Sequence, residues 1–244
     1  MNIAVIFAGG SGKRMGSKNI PKQFLEVHHK PIIIYTLELF ERHSDIDAIV
    51  IACKEDWIDY LRDLLDKFSI TKVKKIVGGG ETGQMSIYNG LAAAEEYAFE
   101  SQVVTEDCVV LIHDGVRPFI TEKTISDNIS SVKKYGNCIT TGIVKETILV
   151  VDDNEMIVSV PDRTHSRVAK APQSFKLSDI LAMHRRAQSE NQFDFIDSCT
   201  MANYYSEKLH LADGPYENIK ITTPEDYFTM KALIEARENS KLYE

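Results

Sequence analysis

The sequence predicts an α/β fold of the Rossmann-like, doubly wound type, with a mostly parallel sheet and a protruding β-arm. Short apolar runs alternate along the chain with segments of helical periodicity, which is the pattern of βαβ units. Glycine-bearing polar segments follow several of the apolar runs, as loops do at the carboxyl ends of parallel strands. The 244 residues fit a single domain, 1–244, with the arm at about residues 145–168.

The apolar runs are the predicted strands and the periodic segments between them are the predicted helices. Strands are expected at residues 3–7, 48–52, 74–77, 108–112 and 138–141, and helices at residues 32–42, 57–68, 85–98 and 122–134. Further on, helices are expected at residues 177–187 and 197–205, and short strands at 208–212 and 218–221. A last helix is expected from Thr223 to about Arg237, because Thr-Pro-Glu-Asp supplies a cap, a first-turn proline and two acids.

The alternation stops after residue 141. The β-rich segments 147–151 and 156–160 flank an Asp-Asp-Asn turn and predict a hairpin. A hairpin that leaves a doubly wound sheet has little to pack against in its own subunit. We therefore expect it to contact a second copy of the chain and to form a symmetric homodimer. The alternative is a mobile surface excursion.

Composition limits the classes of function. Apolar residues make up 43% of the chain, which suits a packed soluble domain, and the net charge is −8. This charge argues against a general nucleic-acid or membrane-surface binder, so no nucleic acid and no membrane are expected as partners. The four cysteines are far apart and form no C-x-x-C pair. Inert buried thiols and a cytoplasmic location are therefore expected.

The loop after the first predicted strand carries the strongest local signal. It reads Gly9, Gly10, Ser11, Gly12, Lys13, Arg14 and Met15, with Pro21, Lys22 and Gln23 shortly after it. Glycine lets backbone N–H groups approach an anion, and the basic side chains supply charge for a polyphosphate. Phe7 and Arg14 exclude the Walker loop, and Met15 breaks the dinucleotide fingerprint. An ordinary tight turn is the other interpretation of this glycine cluster.

A second polar group follows the most apolar predicted strand. It reads His113, Asp114, Gly115, Val116, Arg117, Pro118 and Phe119. An aspartate beside an arginine at a strand end suits the edge of a phosphate and metal site, although a salt-bridged turn would look the same. We expect His113 to be a hydrogen-bonded structural residue.

Three more cations are candidates. Lys220 lies in the apolar run 218–222, where a buried strand lysine needs a partner or a ligand. Arg163 and Arg167 follow the predicted hairpin, and a solvated surface is the alternative for both.

The chain carries five motifs in an order that resembles that of the cytidylyltransferases that make CDP-alcohols from CTP. These are the ribitol-5-phosphate and 2-C-methyl-D-erythritol 4-phosphate enzymes. The five motifs are Gly9 to Met15 with Pro21-Lys22-Gln23, Gly79-Gly80 with Ser86, His113-Asp114 with Arg117-Pro118, Pro172-Gln173 with Phe175, and Asn218 to Thr222. The resemblance spans nearly the whole chain. It implies a single nucleotidyltransferase domain, a β-arm exchanged across a homodimer, CTP and a polyol phosphate as substrates, and Mg²⁺ as cofactor.

The resemblance also implies residue roles on the nucleotide side. Arg14 and Lys22 would grip the triphosphate and stabilise charge as the α-phosphorus is attacked. CTP would be bound by a set of small residues, namely Ala8, Gly9, Gly10, Gly12, Gly79, Gly80 and Ser86.

On the acceptor side, the resemblance implies that Lys220 is a third catalytic cation, bridging the phosphates of both substrates. Asp114 would lie where the ribose, the metal and the acceptor meet, and it is the implied Mg²⁺ ligand. Arg117 would hold the acceptor. Thr147 and Arg163 of the arm would bind the acceptor phosphate in the neighbouring subunit's site.

Some positions depart from the family pattern. Gly83 stands where an arginine is usual, Ala171 where a threonine is usual, and Glu146 where an aspartate is usual. Val116, Phe119 and the segments 161–165 and 197–199 resemble the ribitol-phosphate branch, which makes precursors of capsule or teichoic acid. D-Ribitol 5-phosphate is therefore the first acceptor expected, with glycerol phosphate and 2-C-methyl-D-erythritol 4-phosphate as alternatives. A catalytically silent CTP-binding regulatory protein and a sugar-1-phosphate nucleotidyltransferase using UTP or dTTP are the remaining hypotheses.

Overall fold

The structure, a computed structural model, describes residues 1–10 and 20–240. The strands of the described ranges are β1 (Asn2–Ala8), β2 (Glu26–Val27), β3 (Lys30–Pro31), β4 (Ala48–Cys53), β5 (Val73–Gly78), β6 (Val109–Asp114), β7 (Asn137–Ile143), β8 (Val150–Val151), β9 (Ile157–Ser159), β10 (Arg167–Lys176) and β11 (Leu211–Asp213). The α-helices are α1 (Ile32–Arg42), α2 (Ile58–Lys67), α3 (Gly83–Glu100), α4 (Glu122–Tyr135), α5 (Leu177–Ser189), α6 (Ser198–Tyr204) and α7 (Pro224–Ser240). None of these helices combines the length and the apolar character that crossing a membrane requires.

Seven strands form the central sheet in the order β11-β7-β10-β6-β1-β4-β5. All neighbours are parallel except β10, which runs antiparallel to both β6 and β7. The chain proceeds from β1 to β4 and β5 on one side and then crosses to β6 on the other side of β1. The strand order therefore reverses at β1 and β6, the place where ligands bind in sheets of this type.

Helices cover both faces of the sheet, as the βαβ pattern predicts. On one face α1, α2 and α4 pack against side chains such as Ile6, Ile51 and Leu111. On the other face α3, α5 and α6 pack against Val5 and Val110, which are the alternate residues of the same strands. Because both faces are covered, the inner strands are fully buried, which explains why they read as continuous apolar runs.

The structure differs from the prediction at two places: one strand was missed and one predicted strand is wrong. Residues 167–176 form the ten-residue strand β10 inside the sheet, a strand that no apolar run predicts. The segment holds Pro172, and its pairing with β7 shifts register between Ala169 and Gln173. Residues 218–221 were expected to be a strand and are irregular instead. Their apolar side chains pack in a small third cluster with Val116 and α7.

The expected hairpin is present as β8 and β9, paired antiparallel. It is shorter than the sequence predicts, and its side chains are exposed along both strands. Its exposed large apolar residues are Leu149, Val150, Val151, Met156, Ile157, Val158 and Val160. The arm therefore adds little to the core of its own protomer.

Candidate active site

A pocket of about 380 Å³ opens at the carboxyl ends of β1, β5 and β6, where the strand order reverses. Four stretches that are remote in sequence line it. Its lining residues include Ala8, Gly9, Gly10 and Lys22, then Gly80, Thr82, Gly83 and Ser86, then Asp114 and Val116, and finally Lys220. The expectation that the strand-end segments meet at one place is confirmed. Arg14 and Gly12 lie outside the described residues.

Glycine is required where the first two segments approach each other. A Cβ on Gly79 would lie 3.3 Å from the Cα of Gly9, and a Cβ on Gly9 would lie 2.9 Å from Oγ of Ser86. A Cβ on Gly80 would overlap the side chain of Met85. The two loops can therefore form one backbone surface only because these positions carry no side chain.

Ser86 organises the second segment. Its Oγ accepts a hydrogen bond from the N–H of Gly80 at 3.1 Å and donates to the carbonyl of Thr82 at 3.0 Å. Thr82 caps α3, since its Oγ1 accepts from the N–H of Met85 at 3.2 Å. The N-terminus of α3 thus borders the pocket, and its partial positive charge favours an anionic ligand there.

Gln23 was part of a predicted motif but had no predicted role. Its side chain is 1% exposed, and its Nε2 donates to the carbonyl oxygen of Ala8 at 2.5 Å. This bond ties the segment that carries Lys22 to the end of β1. A buried amide paired to a strand-end carbonyl fixes the approach of the neighbouring lysine to the pocket.

Asp114 is the centre of a charge cluster. It is 5% exposed, with Nζ of Lys220 at 2.6 Å from its Oδ1 and Nε of Arg117 at 2.7 Å from its Oδ2. Burial alone would raise the pKa of Asp114, but the two cations outweigh burial and lower it to about 2. Two cations share one carboxylate, so the trio carries a net positive charge, and Lys22 lines the same pocket.

The loop that carries Lys220 is held by hydrogen bonds from three sides. Arg117 donates to the carbonyl of Asn218 at 3.2 Å, and the Nδ2 of Asn218 donates to the carbonyl of Ala171 at 2.7 Å. The N–H of Ile221 donates to the carbonyl of Val116 at 2.9 Å. Lys220 was expected on a buried strand, and that is wrong: its side chain is 40% exposed on this irregular loop. Its expected need for a partner is met by Asp114.

His113 is a structural residue, as expected. It is fully buried, its Nε2 donates to the carbonyl of Arg117 at 3.1 Å, and its ring meets the ring of Phe40 edge to face. Burial lowers the pKa of His113 to about 4, so the imidazole is neutral at physiological pH.

The two arm residues of the predicted site lie elsewhere in the protomer. Thr147 and Arg163 are exposed, and Arg163 donates to the carbonyl of Lys145 at 3.1 Å. Neither is among the described residues that line the pocket.

The four cysteines are free thiols, and three of them are buried as expected. Cys53, Cys108 and Cys138 are buried and Cys199 is half-buried; all four are free. Burial raises the pKa of Cys53 to about 11, which keeps this thiol protonated and unreactive.

Comparison with known proteins identifies the family. The sequence model described as "IspD: 2-C-methyl-D-erythritol 4-phosphate cytidylyltransferase" matches residues 2–236. A ribitol-5-phosphate cytidylyltransferase of Streptococcus agalactiae is 55% identical, with 100% of this chain and 99% of that protein covered. A 2-C-methyl-D-erythritol 4-phosphate cytidylyltransferase of Clostridium botulinum is 40% identical over 96% of this chain and 97% of its own.

A solved structure agrees with this result. The 4-diphosphocytidyl-2C-methyl-D-erythritol synthase of Anaerococcus prevotii superposes with a TM-score of 0.81 at 28% identity, covering 96% of each chain. The sequence and the fold are those of one enzyme family. The chain belongs to the IspD family of CTP-dependent cytidylyltransferases.

Proposed function

We propose that this enzyme transfers the cytidylyl group of CTP to D-ribitol 5-phosphate and releases pyrophosphate and a CDP-alditol, a precursor for capsule or teichoic acid. The observation that carries the proposal is the charge cluster at the β1–β6 crevice, where Lys220 and Arg117 share the buried carboxylate of Asp114. The 55% identity to a ribitol-5-phosphate cytidylyltransferase over the whole chain supports the acceptor.

The chemistry follows from charge. CTP and an alditol phosphate are both polyanions, so they repel each other at the distance that reaction requires. The phosphate of the acceptor is already ionised near neutral pH and attacks the α-phosphorus without a histidine base. Positioning and charge neutralisation supply the catalysis in such transfers. Preorganised lysine and arginine side chains provide both in this pocket.

Roles for individual residues extend the proposal. Lys22, together with Arg14, binds the triphosphate, and Lys220 stabilises charge between the two substrates. CTP would be bound by Ala8, Gly9, Gly10, Gly12, Gly79, Gly80 and Ser86, of which Gly12 lies outside the described residues. The close approach of Gly9 and Gly79, which leaves no room for side chains, supports this placement of the nucleotide.

Mg²⁺ would fit this site as a complex with CTP. Among residues 1–10 and 20–240, no group of three or more His, Cys, Asp or Glu side chains could hold a metal ion. Asp114 is a single buried carboxylate whose oxygens retain lone pairs beside Lys220 and Arg117. Mg²⁺ in nucleotide sites takes one or two carboxylates and otherwise phosphate oxygens and water. Asp114 would be the protein ligand, and the ion would withdraw charge from the phosphates.

The arm forms the dimer in this proposal. Exposed apolar residues on both hairpin strands, such as Val150 and Ile157, support burial against a second protomer. Thr147 and Arg163 lie at the ends of the same excursion, so a partner that receives the arm also receives these side chains. They would bind the acceptor phosphate there, in a cytoplasmic homodimer of single nucleotidyltransferase domains.

The proposal is tested by pyrophosphate release from CTP with a panel of acceptors: D-ribitol 5-phosphate, glycerol phosphates, a four-carbon polyol phosphate and 2-C-methyl-D-erythritol 4-phosphate. We expect the highest kcat/KM with D-ribitol 5-phosphate. A higher kcat/KM with another acceptor overturns the assignment. Turnover with UTP or dTTP at the rate seen with CTP would contradict the assignment of CTP as the nucleotide substrate. CTP binding by calorimetry without pyrophosphate release would indicate a silent regulatory protein.

A further inference from the structure

Lys170 lies on β10, is half-buried, and is not among the described residues that line the pocket. Its Nζ donates to the carbonyl oxygens of Tyr216, at 3.1 Å, and Pro215, at 3.4 Å. Both acceptors are neutral, so they satisfy N–H groups without cancelling the charge. A partly buried ammonium with only carbonyl partners is costly unless an anion completes its environment.

Neighbouring cations strengthen this positive region. Burial lowers the pKa of Lys170, the nearby Arg117 guanidinium lowers it further, and Glu217 offsets part of the effect. Nζ of Lys145 lies 3.4 Å from the ring centroid of Tyr216, and Nζ of Lys170 lies 5.8 Å from the same centroid. Two ammonium groups and a guanidinium therefore surround one loop.

The chain makes room for this side chain. Gly142 lies on the neighbouring strand β7, and a Cβ there would come within 2.8 Å of Cε and 3.3 Å of Nζ of Lys170. The lysine can occupy its position only because residue 142 is glycine. The next two residues of β10, Ala171 and Pro172, carry no polar side-chain atom, so Lys170 is the polar group of this segment.

The position connects the charge cluster to the arm. The carbonyl of Ala171 is bound by Asn218, whose own carbonyl is bound by Arg117 beside Asp114. On its other side Lys170 shares Tyr216 with Lys145, and the carbonyl of Lys145 is bound by Arg163. We propose that Lys170 is an acceptor-binding residue, whose ammonium binds the phosphate monoester of the alditol acceptor. This inference rests on the proposed function.

Three variants test it. Lys170→Met keeps the alkyl stem and removes the charge; Gly142→Ala displaces the ammonium and keeps its charge; Lys133→Met alters an exposed lysine of α4 as the matched control. We expect Lys170→Met to raise the KM for D-ribitol 5-phosphate at least about tenfold, and to change the KM for CTP by less than about twofold. Gly142→Ala should raise the acceptor KM by about three- to tenfold, and Lys133→Met should match wild type.

An unchanged acceptor KM in Lys170→Met overturns the inference. Equal increases in both KM values with a lower Tm also overturn it, because they would show that Lys170 only holds the loop of Lys220. If wild type prefers another polyol phosphate, the proposed acceptor is wrong and the same comparison is made with that compound. Calorimetric titration with the acceptor alone separates the two proposals: binding that Lys170→Met weakens supports the inference even without turnover, and equal or absent binding in both proteins contradicts it.

Discussion

Nζ of Lys220 lies 2.6 Å from Oδ1 of Asp114, although the two residues belong to different elements far apart in sequence. The carboxylate orients the ammonium, and Arg117 occupies its second oxygen at 2.7 Å. Because two positive groups share one negative group, the cluster retains charge for a substrate phosphate. The β1–β6 crevice is therefore electropositive in a chain whose net charge is −8.

Asp114→Asn should abolish this orientation while preserving side-chain shape. We expect kcat to fall by ~10²–10³, because Lys220 and Arg117 are no longer held in the orientation that stabilises charge in the transition state. Steady-state pyrophosphate release measures the effect. Asp127→Asn is the matched control, since Asp127 pairs with Lys123 on the outer surface of α4. A wild-type kcat in Asp114→Asn would contradict the role of the carboxylate.

Gly9→Ala should weaken CTP binding, because its Cβ would lie 2.9 Å from Oγ of Ser86. We expect the KM for CTP to rise by about tenfold in Gly9→Ala. Removing the hydroxyl in the double variant Gly9→Ala/Ser86→Ala relieves that contact. The increase in the KM for CTP should therefore be smaller in the double variant than the product of the increases in the two single variants. Strict additivity would show that the two loops do not touch in the complex.

His184 should make stability depend on pH. It is buried beside Tyr88 with neither ring nitrogen hydrogen-bonded, and burial lowers its pKa to about 4. Below pH about 6.5 the imidazole binds a proton in the unfolded state but stays neutral in the folded state. The stabilisation of the folded state that is present above pH 6.5 is therefore lost as the pH falls toward 4.

At pH 5 this loss is on the order of 2 kcal/mol. His184→Leu should remove it, so urea unfolding at pH 7.5 and pH 5 should differ less in the variant than in wild type. Equal differences in the two proteins would show that the folded His184 titrates normally.

Charges on the arm should dissociate the proposed homodimer. Ile157→Glu and Val158→Glu each replace a side chain that is 59% exposed in the protomer. Burying a carboxylate in an apolar interface is costly, so we expect the mass from light scattering to fall from dimer to monomer. Turnover should fall with it if the partner's arm completes the acceptor site. Phe99→Glu, at the end of α3, is the control, because Phe99 is an equally apolar but more exposed residue outside the arm.

Much of the fold follows from the sequence because parallel strands buried on both faces form continuous apolar runs. β1, β4 and β6 could be predicted in this way, and the segments that follow β1, β5 and β6 were expected to meet. β10 could not, since Pro172 and small polar residues interrupt its pattern and its position depends on pairing with β6 and β7. The reverse error occurs at Ile219 and Ile221, which are apolar because they pack near α7 and not because they form a strand.

The same distinction applies to the site. The glycines and Asp114 could be predicted because strand ends converge in such sheets. The contribution of Gln23 depends on its hydrogen bond to the carbonyl of Ala8. The position of Lys170 depends on a loop more than forty residues away in sequence and on the absence of a Cβ at Gly142. These relationships exist only after folding, and no local spacing encodes them.

The central claim is that cations from segments remote in sequence form one pocket for two anionic substrates. The turnover of the Lys22→Ala and Lys220→Ala variants tests this claim most directly. With saturating CTP and acceptor, each variant should lose at least ~10²–10³ in kcat and keep the wild-type fold by circular dichroism, while Lys133→Ala retains full activity. Near-normal turnover in both Lys22→Ala and Lys220→Ala would contradict the account.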